Sequence, residues 1–171
     1  MEEHAPQHTQ LTFALRGADA TLRLFITAFL VLVTSGYAVG LFFVDHTTAG
    51  TIRGLSEEYR GSAESSNAPE LKYAKSADEM YILLHNHVLS LSLVFFAVGG
   101  LFYFSSIVPR ALKGFLTVEP LLAVGTTFGG IWLMRFVSES FSWLVVASGV
   151  SMAACYLAMV VLILWELWAT T

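Results

Sequence analysis

His85 and His87 stand two residues apart, with Asn86 between them, inside YILLHNHVLSLS (81–92), a stretch that is otherwise largely apolar. Imidazole nitrogens ligate haem iron and other transition metals, and they also donate or accept hydrogen bonds. On a regular helix, residues two apart point about 200° from one another, so this pair cannot close on one ion. It therefore differs from an HExxH site, where four-residue spacing puts both rings on one face. A b-type haem with two axial histidines would instead draw one from each of two helices, and His46 is the candidate opposite His87. Arg135 could then hold a haem propionate or a quinone carbonyl. A non-haem copper or iron site would need His85 or His87 to be joined by Asp45, His46 or Glu139, through a helix start that is unwound.

The same residues also admit a reading without any cofactor. Asn86, Ser90, Leu93, Ala97 and Gly100 recur at spacing four, three, four and three, which is one small or polar seam along a helix. Beside such a seam, His85 and His87 are neutral, hydrogen-bonded side chains facing a neighbour. Arg135 and Glu139, four apart, then form a structural ion pair, since a cation near the membrane is costly unless paired.

The elements that must position these residues are membrane spans. Of the 171 residues, 56% are hydrophobic and 13% charged, and the mean hydropathy is +0.66. Four apolar runs, at about 22–44, 80–106, 120–137 and 142–167, are long enough to cross roughly 30 Å of hydrocarbon. The expected fold is all-α, a single integral membrane four-helix bundle in contact with the lipid bilayer, with an extramembrane loop over 45–78. The acidic, polar start MEEHAPQHTQ lacks a signal-peptide pattern, so the first span is expected to be retained, and His4 and His8 to be solvated. The lone Cys155 excludes an internal disulfide and a covalent CxxCH haem, and a net charge of -4 without a basic cluster argues against nucleic acid.

Ser76 and Glu79 fit a capping box, so the second long helix starts near Ser76. Running to Pro109 it would have about 33 residues, or roughly 50 Å, and project beyond the bilayer. RALKGFL (110–116) reads as an interfacial connector, and Glu119 with Pro120 as the first turn of the third span. Ile52, Leu55 and Tyr59 mark a short amphipathic helix in the long loop, and GSAESSNAP (61–69) an irregular turn. Gly36 with Gly40, GTTFGG (125–130) and ASGVSMAAC (147–155) look like small-residue seams, which predict close helix approach and a tight bundle. Arg16, Arg23, Arg110 and Lys113 lie tight against span ends, favouring both termini in the cytoplasm. Acid residues are scarce at the predicted span centres, and no nucleotide-loop or hydrolase motif occurs, so neither a transporter nor those enzymes is expected.

KSADEMYILLHNHVLSLSLVFFAVGGLFYFSS (75–106), preceded by Glu58, Tyr59, Arg60 and Gly61, resembles a family of small four-span bacterial membrane proteins. In that family a helix opening with an H-x-H pair follows an EYRG-type loop, and members look associated with cytochrome-containing electron-transfer systems. The resemblance implies a small inner-membrane subunit of a respiratory or photosynthetic complex, with other membrane subunits, cytochromes among them, as partners. The implied cofactors are haem b or a quinone near the outer membrane face, and the alternatives of a structural subunit and a metal-binding protein stay open beside it.

Overall fold

The structure, a computed structural model, describes residues 15–62 and 71–169. His4, His8 and most of the predicted 61–69 turn lie outside the described residues. Five α-helices follow in order: α1 (Ala20–Thr48), α2 (Ile52–Arg60), α3 (Ala77–Tyr103), α4 (Arg110–Phe136) and α5 (Ser142–Trp168). Four of them are long and apolar enough to cross a membrane, and α2 is the short helix expected in the first connection. The fold is the all-α membrane bundle.

Local signals set most boundaries. Asp19 accepts from the Leu22 amide at 2.8 Å and starts α1. The Ser76 and Glu79 capping box starts α3 as its spacing required. Thr51 caps α2 by accepting from the Gly54 amide, and Ala49 and Gly50, both at positive φ, make the turn into it.

Two boundaries differ from the sequence reading. Helix α3 stops at Tyr103 after 27 residues, about 40 Å, well short of Pro109. Its end tightens as Phe104 and Ser105 bond back to Leu101 and Phe102, while Glu166 takes the next amide, that of Ser106. Helix α4 starts at Arg110, with Pro109 as its N-cap, and not at Glu119 and Pro120, so the supposed connector is its first turns and Pro120 lies inside the helix. Membrane helices tolerate an internal proline because its freed carbonyl can be satisfied by neighbours. Glu119 therefore sits nearly three turns into a span.

Helices α3, α4 and α5 form the compact body, around Phe95, Val98, Phe102, Phe128, Tyr156 and Ile163. Gly130 supplies one close approach, with the place of its missing Cβ 3.0 Å from Val145. Helix α1 joins this body along its first half, where Ile26 and Leu30 are buried; between Leu30 and the buried Thr48 at its end no α1 residue is.

Polar contacts pin both ends. At one end Glu166, 1% exposed, accepts from the Ser106 amide at 2.8 Å and hydroxyl at 2.7 Å, with Arg16 at 3.7 Å. Trp168 donates to Thr27 nearby. At the other end, Arg60 donates to the Met134 carbonyl at 2.7 Å, and Glu58 holds Lys72 and Lys75 at 2.8 and 3.0 Å. These contacts seat α2 over the ends of α4 and α5.

Candidate functional site

Between the second half of α1 and the α3–α5 body lies a cavity of about 770 Å³. Its walls are Gly36, Tyr37 and Gly40 from α1, His87 and Ser90 from α3, Phe128 from α4 and Val145 from α5, and α2 closes one end through Leu55 and Tyr59. The expected tight bundle is thus corrected. A Cβ at Gly36 or Gly40 would meet no heavy atom within 4 Å, and the same holds for Gly125, Gly129 and Gly100. The Gly36 and Gly40 pair keeps the wall of the cavity low instead of drawing two backbones together.

His87 is the polar focus of this wall. Its Nδ1 lies 2.9 Å from the Leu83 carbonyl one turn earlier. A carbonyl oxygen only accepts, so Nδ1 carries the hydrogen, which in the neutral tautomer makes Nε2 the lone-pair acceptor. The ring packs against Phe128 at 5.1 Å between centroids, which fixes its plane. Thr127 and Ser148 join α4 and α5 with a hydroxyl pair at 2.8 Å, and Thr127 reaches the cavity wall.

The other predicted residues separate. His85 is exposed and does not line the cavity. His46 is exposed near the end of α1, although Asp45 beside it lines the wall. Arg135 gives its Nε to the Lys75 carbonyl at 2.7 Å and lies over the Phe136 ring at 4.8 Å. Among the described residues it forms no ion pair with Glu139. The helix ends at Phe136, so the helical spacing that pairing assumed does not exist. No group of three or more His, Cys, Asp or Glu side chains converges among the described residues. Of the predicted Asn86 to Gly100 seam, Asn86, Leu93 and Gly100 are exposed and off the cavity, while Ser90 lies on its wall; Phe95, Val98, Gly99 and Phe102 make the buried face.

Two polar residues, Tyr37 and Tyr156, escaped the sequence reading, and a third, Glu119, lies inside the bundle instead of at the expected helix start. Tyr37 packs on Tyr156 at 4.6 Å and near Phe95 at 6.2 Å, forming the cavity floor, and Tyr156 bonds to Thr34 at 2.9 Å. Behind this aromatic layer lie Glu119 and Cys155. The continuing spacing of Leu112, Leu116, Pro120 and Ala123 was the available sign that Glu119 belongs inside a helix.

The roof has its own electrostatics. Burial alone would raise the Glu58 carboxyl, but hydrogen bonds and charge from Lys72 and Lys75 outweigh it and hold Glu58 below the usual carboxylate range. Burial, with the Glu58 charge second, pushes the Tyr59 phenol up to about 12, so it stays a neutral donor beside the cavity.

A protein-family model described as a transmembrane helical domain matches residues 49–171. The chain belongs to that family. No curated protein and no solved structure matches it.

Proposed function

We propose that this transmembrane helical protein holds the ring of a membrane quinol in its cavity, as a small subunit of an electron-transfer assembly. The observation that carries the reading is His87, whose Nδ1 is spent on Leu83 and whose Nε2 is left as an acceptor on an apolar wall. A quinol hydroxyl needs such an acceptor, and its isoprenoid tail needs the apolar groove. A volume of about 770 Å³ is in the range of small-molecule and cofactor sites. Phe128 and the Tyr37 layer offer flat surfaces to an aromatic ring. A quinol held here would need one-electron carriers in a partner subunit to oxidise it, and His87 Nε2 would be the acceptor nearest its hydroxyl. We place the assembly in a bacterial inner membrane, with both termini cytoplasmic and α2 outside, on the positions of Arg16, Arg23, Arg110 and Lys113.

Haem b fits the chain less well. His87 has the side-chain geometry of an axial ligand, with Nδ1 on a carbonyl and Nε2 open. His46 is not on the cavity wall, so it does not face His87 across the cavity as a second axial ligand.

The test is to purify the full chain from its native membrane, extract and quantify quinone, and record a reduced-minus-oxidised spectrum of the same sample. The expected result is quinone in proportion to protein, lost in His87→Leu while the helical content stays. Equal quinone in wild type and variant would overturn the reading. A haem band lost in His87→Leu would transfer His87 to haem ligation.

A further inference from the structure

Arg135 lacks the acid partner that its sequence spacing from Glu139 suggests. Its Nε donates to the Lys75 carbonyl at 2.7 Å and its guanidinium lies 4.8 Å over the Phe136 ring, while its two terminal nitrogens make no ion pair among the described residues. Backbone bonds gather further cations around it. The Lys75 amide donates to the Tyr59 carbonyl at 3.0 Å, which ties the segment before α3 to the end of α2. From that end Arg60 reaches the Met134 carbonyl at 2.7 Å and lies 3.4 Å from the carbonyl of Arg135 itself. Lys75 shares the one Glu58 carboxylate with Lys72, at 3.0 and 2.8 Å. Four cations thus meet one acid. The neighbouring acids do not make up the difference among the described residues. Glu57 pairs with Arg53, Glu79 is committed to the Ser76 amide and hydroxyl, and Asp45, Asp78 and Glu139 form no ion pair.

The depth of the cluster indicates what neutralises it. Helix α4 has 27 residues, about 40 Å against roughly 30 Å of hydrocarbon, and Arg135 is its last residue but one, at headgroup level. Beside it Trp132 stacks on Tyr81 and Phe136 at 5.0 and 4.5 Å between centroids, the kind of aromatic layer that marks a membrane surface. A guanidinium fork matches a phosphate bidentately, and an excess of cations favours a headgroup of net negative charge over a zwitterionic one. We propose that Arg135, with Arg60 and Lys75 beside it, binds the phosphate of an anionic phospholipid where α4 meets the membrane surface. The exposed Phe136 and Val137 border its acyl chains. None of the three cations lines the cavity, so this site does not depend on quinol binding and the two tests fail separately.

Electron spin resonance of the full chain in phosphatidylcholine nanodiscs tests it, with trace spin-labelled phosphatidylglycerol or phosphatidylcholine as the probe. At about 0.5 M salt, diffuse attraction is screened to within a few ångström, whereas a direct contact persists. Under that condition the wild type should immobilise the phosphatidylglycerol label about fivefold more strongly than the phosphatidylcholine label. The preference should drop to near equality in Arg135→Gln and fall in Lys75→Gln. It should stay in Arg110→Gln, which removes a cation from the other end of the same helix. Excess inorganic phosphate should leave it in place. Equal immobilisation of the two labels by wild type overturns the proposal, and so does a preference that survives Arg135→Gln or falls as much in Arg110→Gln. Release of the label by inorganic phosphate would make this a site for a free anion and overturn the lipid assignment. Should Arg135→Gln lose its helical content, Lys75→Gln decides, and a full preference in that variant overturns the cluster.

Discussion

Gly54 is where the roof of the cavity depends on a missing side chain, and Gly54→Ala tests the architecture directly. An added Cβ would lie 1.9 Å from the Thr48 carbonyl oxygen and 2.7 Å from its carbon, both backbone atoms. Relief to ordinary contact near 3.4 Å requires α2 and the end of α1 to part by about 1.5 Å. No rotamer can absorb that. Overpacking of this kind costs about 1–3 kcal/mol, and the Thr51 cap on the Gly54 amide, worth about 1 kcal/mol, is strained with it. At roughly 2–4 °C per kcal/mol for a chain of this size, Tm should fall by about 4–16 °C. Gly40→Ala is the control, since its Cβ would meet nothing within 4 Å and alanine is the better helix former by about 0.5–1 kcal/mol. The assay is reaction of the buried Cys155 with a thiol-reactive fluorophore during heating. Gly54→Ala should also expose α2 to protease at temperatures where Gly40→Ala stays intact. Equal melting of Gly54→Ala and wild type, or an equal loss in Gly40→Ala, would refute the placement of α2 and the open wall.

Glu58 predicts an acid dependence of the same roof. Its carboxyl is held below the usual range when folded, so the stability it contributes is complete above that range and is lost as pH falls through its folded value. A series of Tm values against pH should show this loss in wild type and a flatter acid limb in Glu58→Gln. Arg60→Met removes the charge-assisted bond to the Met134 carbonyl at 2.7 Å and should cost about 1.5–3 kcal/mol. Heating with the Cys155 reporter measures it, and an unchanged Tm would show that α2 is held by its apolar face alone.

How much of this could be read in advance differs residue by residue. The capping box at Ser76, the α2 face of Ile52, Leu55 and Tyr59, and the four spans follow from local chemistry or composition, and the structure has them. Gly36 and Gly40 were legible only as small. Whether smallness serves contact or space depends on what stands opposite, and that is set by α3, α4 and α5, distant in sequence. The larger miss came from Pro120. A proline beside an acid reads equally well as a helix start or as an interior residue, and the choice moved Glu119 from an interface to the membrane interior. Once the span starts at Arg110, the one acid in the middle of α4 becomes the most costly residue of the bundle. An interior proline in a membrane helix should therefore be tested against the apolar spacing before it is used as a boundary.

The position of the cavity follows from how α1 is fastened. Its start is fixed near Glu166, Arg16 and Trp168, its middle by the Tyr37 and Tyr156 rings, and its far end by the turn into α2. Arg60 anchors α2 in turn to α4, and the Glu58 cluster ties it to the segment at Lys72 and Lys75, where Lys72 also donates to the Thr47 carbonyl at the end of α1. A helix held at both ends and at one middle layer cannot collapse onto the body without unseating α2. The space beyond that layer is therefore sustained by polar contacts outside the membrane core, where water weakens each of them. It follows that the ligand site and the roof share one stability. A ligand that fills the cavity should protect α2 from protease, and a break in the roof should release the ligand even though no roof charge touches it.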